Sequence, residues 1–492
     1  MSLSRGERSQ QSALRVSMKV MKEPVERNTY DILIIGGGVS GTALLYTLSR
    51  YAKCGPVALL EKYDRVGSVN SSARNNSQTL HTGEIESNYG IEKVKQVKPA
   101  ALMVARYAAA LPEKIRDKIL FPTPKMLLAV GKSEVEELSK RFQDLRSIFP
   151  NLRKLNRDEI GSVEPLIVQD RPLREEILAL SADGYAVDYE RLAESFLGQV
   201  EELKRTNDRR IDIFLNSEVK EITPDEKDSG SFLLKLEDGK QISAKVVISN
   251  ADAYSLRFAK KLGYGKEFSL IPVAGAFYFS REMLKGKVYT MQDPRLPFAS
   301  MHGDPDVRVP GKTRWGPTAR FFPVLEARDW KTSLDYFAVS GLHRWQTWVS
   351  FIAILLQPMR AYYMLRNLLY EIPFIGNWFY AREVRKIIPS ITARDISKAK
   401  GYGGMRLQRV NIKTRELLLG EGKIVGKNII FNMTPSPGAS VCLYNAMRDA
   451  EKIADFFAPN EYSFDKESMI RDLCTKDRPE AADVSLKDTY PS

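Results

Sequence analysis

Six residues near the start of the chain, Gly36-Gly37-Gly38-Val39-Ser40-Gly41, fit the spacing G-x-G-x-x-G, and an acid, Glu61, stands 20 residues beyond Gly41. At that spacing the first glycine allows a tight turn, Gly38 lets the backbone approach a pyrophosphate, and Gly41 permits close helix–strand packing. The backbone N–H groups around Val39 and Ser40, at a helix start, then face the phosphates, and the Glu61 carboxylate can take a ribose diol. This is the chemistry of dinucleotide binding. Only three imidazoles are present, His81, His302 and His343, and three thiols, Cys54, Cys442 and Cys474. They are too few and too scattered for a metal cluster, so no metal centre is expected, and so few cysteines point to a reducing compartment. Arg314 and Arg406 stand among glycines rather than on charged helix faces. A guanidinium forks two hydrogen bonds onto a carboxylate, so two of them suit a dicarboxylate; each could equally pin its own loop through an ion pair.

Apolar patterning outlines the elements that must hold these groups. Residues 30–35 form a short β-branched run ending in glycine, the pattern of a buried parallel strand, followed by a helix over about 40–51 and a strand at 57–60 that delivers Glu61. Runs at 211–214, 232–236 and 245–249, with an Asp238-Gly239 turn, predict a β-meander returning to a buried strand, and 428–431 predicts another. The segment 95–200 reads as mostly helical, and 270–330 as a second sheet with long loops. The expected fold class is α/β. A Rossmann-type nucleotide domain is assembled from 29–95, 200–262 and 400–458, beside a mixed-sheet α+β substrate domain of 96–199 and 263–340. There is no second G-x-G-x-x-G of this kind, hence no separate NAD(P)H domain, and a nucleotide domain built from both ends of the chain points to FAD.

Residues 341–399 differ in character. Trp345, Trp348, Val349, Ile352, Leu355 and Leu356 recur at helical spacing; after Pro358, Ala361, Met364, Leu365, Leu368, Leu369 and Ile372 do the same, with Arg360, Arg366, Asn367 and Glu371 on the other side. The apolar runs fall well short of the roughly 20 residues that span a bilayer. The amphipathic helices either dock on a membrane surface or pack as core. Charge sharpens the choice of partners. The net +13 is concentrated in 341–410, with eleven Lys/Arg against three Asp/Glu, and in residues 1–30, with six against three. That placement disfavours nucleic acid and favours an anionic bilayer surface or an anionic substrate. Residues 1–28 read either as a targeting segment or as a basic tail, and 459–492 as a C-terminal tail.

The stretch Arg74-Asn75-Asn76-Ser77-Gln78-Thr79-Leu80-His81-Thr82-Gly83 resembles the flavin-wrapping loop of the D-amino-acid-oxidase-like flavoproteins. Further blocks sharpen the likeness: Pro272-Val273-Ala274-Gly275-Ala276-Phe277-Tyr278-Phe279-Ser280, His302-Gly303-Asp304-Pro305-Asp306, Thr313-Arg314-Trp315-Gly316-Pro317-Thr318-Ala319, Gly401-Tyr402-Gly403-Gly404-Met405-Arg406-Leu407-Gln408 and Asn432-Met433-Thr434-Pro435-Ser436-Pro437-Gly438-Ala439. Together with Leu369-Tyr370-Glu371-Ile372-Pro373 they resemble the malate:quinone oxidoreductase family over roughly 30–455. Two departures stand out: Asp252 ends a turn that the family closes with glycine, and Leu407 replaces the proline after Arg406.

The resemblance implies FAD-dependent oxidation of (S)-malate to oxaloacetate, with hydride transfer to the flavin and electrons passed to a membrane quinone. It places the protein peripherally on a membrane, the mitochondrial inner membrane in a eukaryote or the cytoplasmic side of the plasma membrane in a bacterium. His81 is the first candidate for the base that takes the C2 hydroxyl proton, and His302 the second. Arg314, Arg406 and, more weakly, Thr318 would hold the substrate. Against FAD it places Lys62, Arg74, Asn75, Asn76, Ser77, Gln78, Val219, Gly404, Pro437, Gly438 and Ala439 beside the glycine motif and Glu61. Two other readings stay open: a flavin 2-hydroxyacid dehydrogenase or oxidase of the L-2-hydroxyglutarate type, and a non-catalytic flavoprotein with a redox-sensing or assembly role.

Overall fold

The computed structural model describes residues 29–206, 209–293, 300–373, 375–418, 420–433 and 437–474. The predicted basic segment 1–28, positions 434–436 of the 432–439 block and residues 475–492 lie outside them.

The strand Thr29–Ile35 is central in an eight-stranded sheet, parallel to Val57–Leu60 on one side and to Gln241–Ser249 on the other. Ile211–Phe214 extends the parallel set beyond Val57–Leu60. All four residues of Val57–Leu60 are buried, which is why the strand reads as a continuous apolar run rather than an alternating one. Gln241–Ser249 has two neighbours along its far side. Its first half pairs antiparallel with Phe232–Leu236 of the meander, and its second half parallel with Ile429–Met433. One long strand thereby ties the late segment of the chain into the sheet that carries the glycine motif.

The helix Val39–Tyr51 buries every residue except Ser40 and Arg50. Tyr189–Thr206, Cys442–Ile453 and Ile91–Ala109 share its core, where Tyr46 stacks on Phe196. Two expected boundaries therefore move. The helices at 91–109 and 189–206 pack mainly into the nucleotide domain rather than forming part of a substrate domain over 96–199. The expected tail from 459 is also ordered as far as 474: Ser463–Phe464 pairs with Ala52–Lys53, and Lys466–Cys474 buries Met469 and Leu473 in the same core.

A second, mixed eight-stranded sheet runs in the order Ser397–Lys398, Tyr278–Arg281, Lys312–Gly316, His302–Pro305, Lys287–Thr290, Lys125–Val130, Ile177–Ala182 and Arg153–Leu155. Lys125–Val130 and Ile177–Ala182 fall in the segment expected to be mostly helical. Their Met, Leu and Ala residues are good helix formers, but each run is only six residues long and almost wholly buried, and sheet pairing overrides propensity. A third, four-stranded sheet pairs Phe268–Ala274 with Arg320–Phe321 and with Met405–Asn411, which is followed by Glu416–Leu418. The nucleotide sheet thus takes Gly422–Gly426 and Ile429–Met433, while residues 405–418 belong with the strand at 268–274, not with the nucleotide domain expected from residue 400.

The helices Trp345–Leu355 and Pro358–Leu369 bury only Phe351, Ile354 and Tyr363 of their large apolar side chains, together with polar ones. Thr347, Ser350 and Asn367 are buried, whereas Trp345, Trp348, Ile352, Leu356, Leu365 and Leu368 are exposed, each by more than half. The buried polar groups are satisfied: Thr347 Oγ1 donates to Gly341 O, Ser350 Oγ to Gln346 O, and Asn367 Oδ1 accepts the Ala319 N–H at 2.8 Å. Among the described residues no helix is long and apolar enough to cross a membrane.

Candidate active site

The carboxyl ends of the three central parallel strands open into a cavity with about 1600 Å³ of empty volume. Gly36 sits at φ +103°, and a Cβ there would lie 2.6 Å from Asn250 O. A Cβ on Gly41 would lie 1.9 Å from Gly36 O, so helix and turn touch only because both residues are glycine. Gly38 is different: a Cβ there would meet nothing closer than Ser71 Oγ at 3.4 Å, and its backbone lines the cavity. Glu61 closes the turn. Its Oε2 accepts the Gly37 N–H at 2.6 Å and its Oε1 the Tyr63 N–H at 2.9 Å. Burial holds its carboxyl above the ordinary value against the pull of these donors.

The polar loop after the glycine motif is shaped by its own side chains. Asn75 Nδ2 donates to Val69 O, and Asn76 Nδ2 to the carbonyls of Asn70, Ser71 and Ser72. Ser71 Oγ accepts the Val39 N–H at 2.9 Å, clamping the loop to the helix start. At the far end of the cavity stands His81. Its Nδ1 lies 2.6 Å from Glu86 Oε1, and its Nε2 3.2 Å from Ser77 Oγ. Glu86 Oε2 also accepts the Gly83 N–H at 2.8 Å. Burial alone would raise the Glu86 carboxyl; the imidazole bonded to it brings it below its ordinary value. With the carboxylate holding Nδ1–H, the Nε2 lone pair is left at the cavity wall, the arrangement a general base needs.

Arg406, at the start of Met405–Asn411, lines the same cavity. Among the described residues, no carboxylate and no hydrogen-bond acceptor is paired with its guanidinium. The groups acting on its ionisation are the phenols of Tyr289, Tyr363 and Tyr89, and burial lowers its pKa from the usual arginine value. A half-buried arginine without a counter-ion makes a strong anion site.

The cavity suits FAD on its own evidence. The glycine turn leaves Gly38 bare, an acid stands at the end of the second strand, and Asn250 Nδ2 in the wall is buried with no hydrogen-bond partner among the described residues. Comparison with known proteins bears on the identity. Residues 31–421 match the family model described as FAD dependent oxidoreductase. The chain is 39% identical over 452 residues to a protein of Helicobacter acinonychis named probable malate:quinone oxidoreductase, and 38% identical over 452 residues to the malate:quinone oxidoreductase of Helicobacter pylori; each alignment covers 90% of this chain and 98% of the relative. The chain belongs to the malate:quinone oxidoreductase family of FAD-dependent oxidoreductases. Solved structures agree on the fold: glycine oxidase from Geobacillus kaustophilus has a TM-score of 0.58 at 17% identity over 90% of this chain and 98% of that one. L-alpha-glycerophosphate oxidase from Mycoplasma pneumoniae, solved with FAD bound, has a TM-score of 0.59 at 16% identity over 89% of this chain and 98% of that one.

In this malate:quinone oxidoreductase family member, the residues expected from sequence do not all meet. Gly36, Gly38, Val39, Ser40, Glu61, Lys62, Asn75, Asn76, Ser77, Val219, Pro437 and Ala439 line the cavity with His81 and Arg406. Lys62 is bound to Glu326, which also accepts from Tyr63. Gly41, Gly404 and Gly438 lie outside the lining. A Cβ on Gly404 would fall 2.3 Å from Asn75 O, so this glycine serves loop packing. Arg74 is exposed, its guanidinium 6.0 Å from the centre of the Tyr402 ring. Gln78 is fully buried. It donates to Ala73 O and Asp306 Oδ2 and accepts the Val307 N–H, tying the loop to the second sheet.

Arg314, His302 and Thr318 are also occupied elsewhere. Arg314 is fully buried and donates to the carbonyls of Ala73, Asn76 and Ser77 and to Asp304 Oδ2 at 2.9 Å. It holds the polar loop from behind instead of facing the cavity. His302 is buried, stacked 4.3 Å from Tyr289, and kept neutral by burial well below the ordinary histidine range. Thr318 Oγ1 accepts the Ala276 N–H and lines a different cavity.

Two groups escaped the sequence reading. Glu86 lies five residues beyond His81 and meets it only because Gly83, at φ +104°, turns the chain back. Lys125, from the second sheet, is buried and donates to Leu80 O, Thr82 Oγ1 and Glu84 Oε1, fixing the His81 loop from below. The sequence signal for Glu86 was the short His-x-x-x-x-Glu spacing around a glycine. Nothing local marks Lys125. Asp252 also acquires an explanation. It adopts φ +49°, a conformation glycine takes without strain, and its carboxylate accepts from Asn70 Nδ2 at 2.9 Å, a bond glycine could not make.

Proposed function

We propose that this chain oxidises malate to oxaloacetate in the cavity bounded by His81 and Arg406 and that the electrons leave to a quinone at a membrane surface. One observation carries the reading: an imidazole oriented by a buried carboxylate and a guanidinium without a counter-ion line the same cavity as the dinucleotide turn. FAD bound there supplies the acceptor for the electron pair released when the C2–H bond of malate breaks. The chain's own groups do the rest. Arg406 binds a malate carboxylate and, in neutralising it, fixes the position of C2. His81 Nε2 accepts the C2 hydroxyl proton as the carbonyl forms, and Glu86 steadies the imidazolium that results. Ser77, bonded to Nε2, keeps the ring in register before substrate arrives. The groups that would hold the dinucleotide are Gly36, Gly38, the N-terminal turn at Val39 and Ser40, Glu61, Asn250, and Pro437 and Ala439.

The apolar side chains that the helices over 345–369 leave exposed favour a peripheral membrane position. Exposed Trp345, Trp348, Leu365 and Trp378, with Arg344 nearby, make the apolar and basic face that settles into an anionic interface. Co-sedimentation with vesicles containing anionic lipid should fall when Trp348 and Leu365 are both replaced by glutamate. The catalytic reading is tested with the purified yellow protein. L-malate should bleach the flavin band and L-2-hydroxyglutarate should not, and a soluble quinone should restore the colour faster than air. An unchanged spectrum with malate contradicts the reading.

A further inference from the structure

A second cavity, with about 920 Å³ of empty volume, lies between the helices Pro358–Leu369 and Gly376–Val384 and the second sheet. Three of its features point to a ligand. Its walls include Tyr363, Tyr370, Tyr380, Met301 and Met359, flat rings and polarisable thioethers suited to a planar conjugated ring. The Tyr370 hydroxyl is buried and, among the described residues, has no hydrogen-bond partner, although the Tyr370 carbonyl accepts from Tyr278 at 2.9 Å. Burial also holds that phenol well above its ordinary pKa, so it remains a donor. Finally, the cavity reaches the surface beside Tyr362, which is 61% exposed, on the same helix that bares Leu365 and Leu368.

The second cavity also adjoins the first. Tyr363, in the wall of the second, is close enough to Arg406, in the wall of the first, for each to act on the other's ionisation. A lipophilic acceptor entering from the apolar helix face would therefore stop against Tyr363, within electrostatic range of Arg406 in the first cavity.

We propose that this second cavity binds the quinone headgroup, with the Tyr370 hydroxyl donating to one carbonyl oxygen and the isoprenoid tail leaving past Tyr362 into the lipid. This rests on the function proposed above and adds to it a separate place for the second substrate. The chemistry balances: malate gives up two electrons and two protons in becoming oxaloacetate, and a quinone takes two electrons and two protons in becoming a quinol. Because each substrate has its own cavity, a dicarboxylate that blocks malate leaves the quinone's access unchanged.

The test uses photochemically reduced holoenzyme, so that it does not depend on malate, mixed rapidly with a short-tailed benzoquinone. Met359→Trp, which fills the cavity from a partly exposed position, should slow flavin reoxidation at least tenfold. Tyr370→Phe should slow it about fivefold at limiting quinone, the worth of one hydrogen bond. Retained flavin absorbance and an unchanged rate of bleaching by malate show that both variants are folded. Succinate, a dicarboxylate with no hydroxyl to oxidise, should compete with malate and not with the quinone. Reoxidation at the wild-type rate in both variants, or competition between succinate and the quinone, would overturn the proposal. Failure of malate to bleach the wild-type flavin would instead strike at the function proposed above.

Discussion

Two clusters in this molecule use the same kinds of side chain to opposite ends. One contains His81, Glu86 and Arg406; the other contains His302, Asp304, Arg314 and Lys287. In the first, the acid is bonded to the imidazole and the arginine is left without a counter-ion at a cavity wall. In the second, Asp304 Oδ2 lies 2.9 Å from both Arg314 and Lys287, and the histidine stacks, neutral, on a tyrosine. Each acid has a cation within electrostatic reach, Lys125 for Glu86 and Arg314 with Lys287 for Asp304, and a histidine nearby. Which of the two it takes decides whether the cluster is closed and structural or open and reactive. The closed cluster also supports the open one, because Arg314 and Lys287 both donate to the carbonyl of Ser77, whose hydroxyl meets His81 Nε2.

The largest expected effect lies in the closed cluster. Arg314→Met removes one cation from a buried charge network and three hydrogen bonds to the polar loop, the one to Asn76 O having no substitute among the described residues, so stability should fall by about 3 kcal/mol or more in denaturant unfolding. The malate concentration for half-maximal bleaching of the folded fraction should change little. The opposite pattern there would show that Arg314 reaches the substrate.

In the open cluster, Arg406→Met should raise that malate concentration on the order of 10²-fold, the consequence of leaving a bound carboxylate unpaired. It should not lower the melting temperature, since it removes a half-buried charge that has no ion-pair partner among the described residues. Arg406→Lys should recover part of the affinity, having the charge without the fork.

A smaller effect concerns pH. His302 has a folded pKa well below 6.5, its ordinary value, because burial disfavours the cation. The stability tied to its neutral form is present above pH 6.5 and is lost as the pH falls from there toward the folded value, since only the unfolded chain takes up the proton. His302→Phe, which preserves a ring against Tyr289, should flatten this acid limb by about 1 kcal/mol at pH 5.5. A limb of unchanged slope would show that His302 is not held neutral.

The dinucleotide turn was legible because its requirements are local. Gly36, Gly38, Gly41 and Glu61 are set by the conformation of one turn and the length of one helix. The difference between Arg314 and Arg406 was not legible, because both stand among glycines and are separated only by what surrounds them after folding: four acceptors for one, a cavity for the other. His81 was found through its loop, whereas Glu86 and Lys125 depend on a turn at Gly83 and on a strand brought from another sheet. The segment 95–200 is mostly helical as its pattern suggests, but the strands at 125–130 and 177–182 within it do not stand out, because Leu, Ala and Met favour helices until pairing and burial decide otherwise. The amphipathic pattern of residues 345–369 was visible as a period, but period does not say which apolar residues turn inward: Phe351, Ile354 and Tyr363 do, beside Thr347, Ser350 and Asn367, while the larger share stays outside.

The central claim is that His81, held by Glu86, takes the substrate's proton and that His302 does not. Rapid mixing of L-malate with the FAD-loaded His81→Ala and His302→Phe variants tests it most directly. The account predicts that His81→Ala retains FAD and bleaches 10²–10⁴-fold more slowly, the usual range for loss of an acid–base group, while His302→Phe bleaches at the wild-type rate. Loss of FAD from His81→Ala, or slow bleaching in His302→Phe with a wild-type rate in His81→Ala, would contradict it.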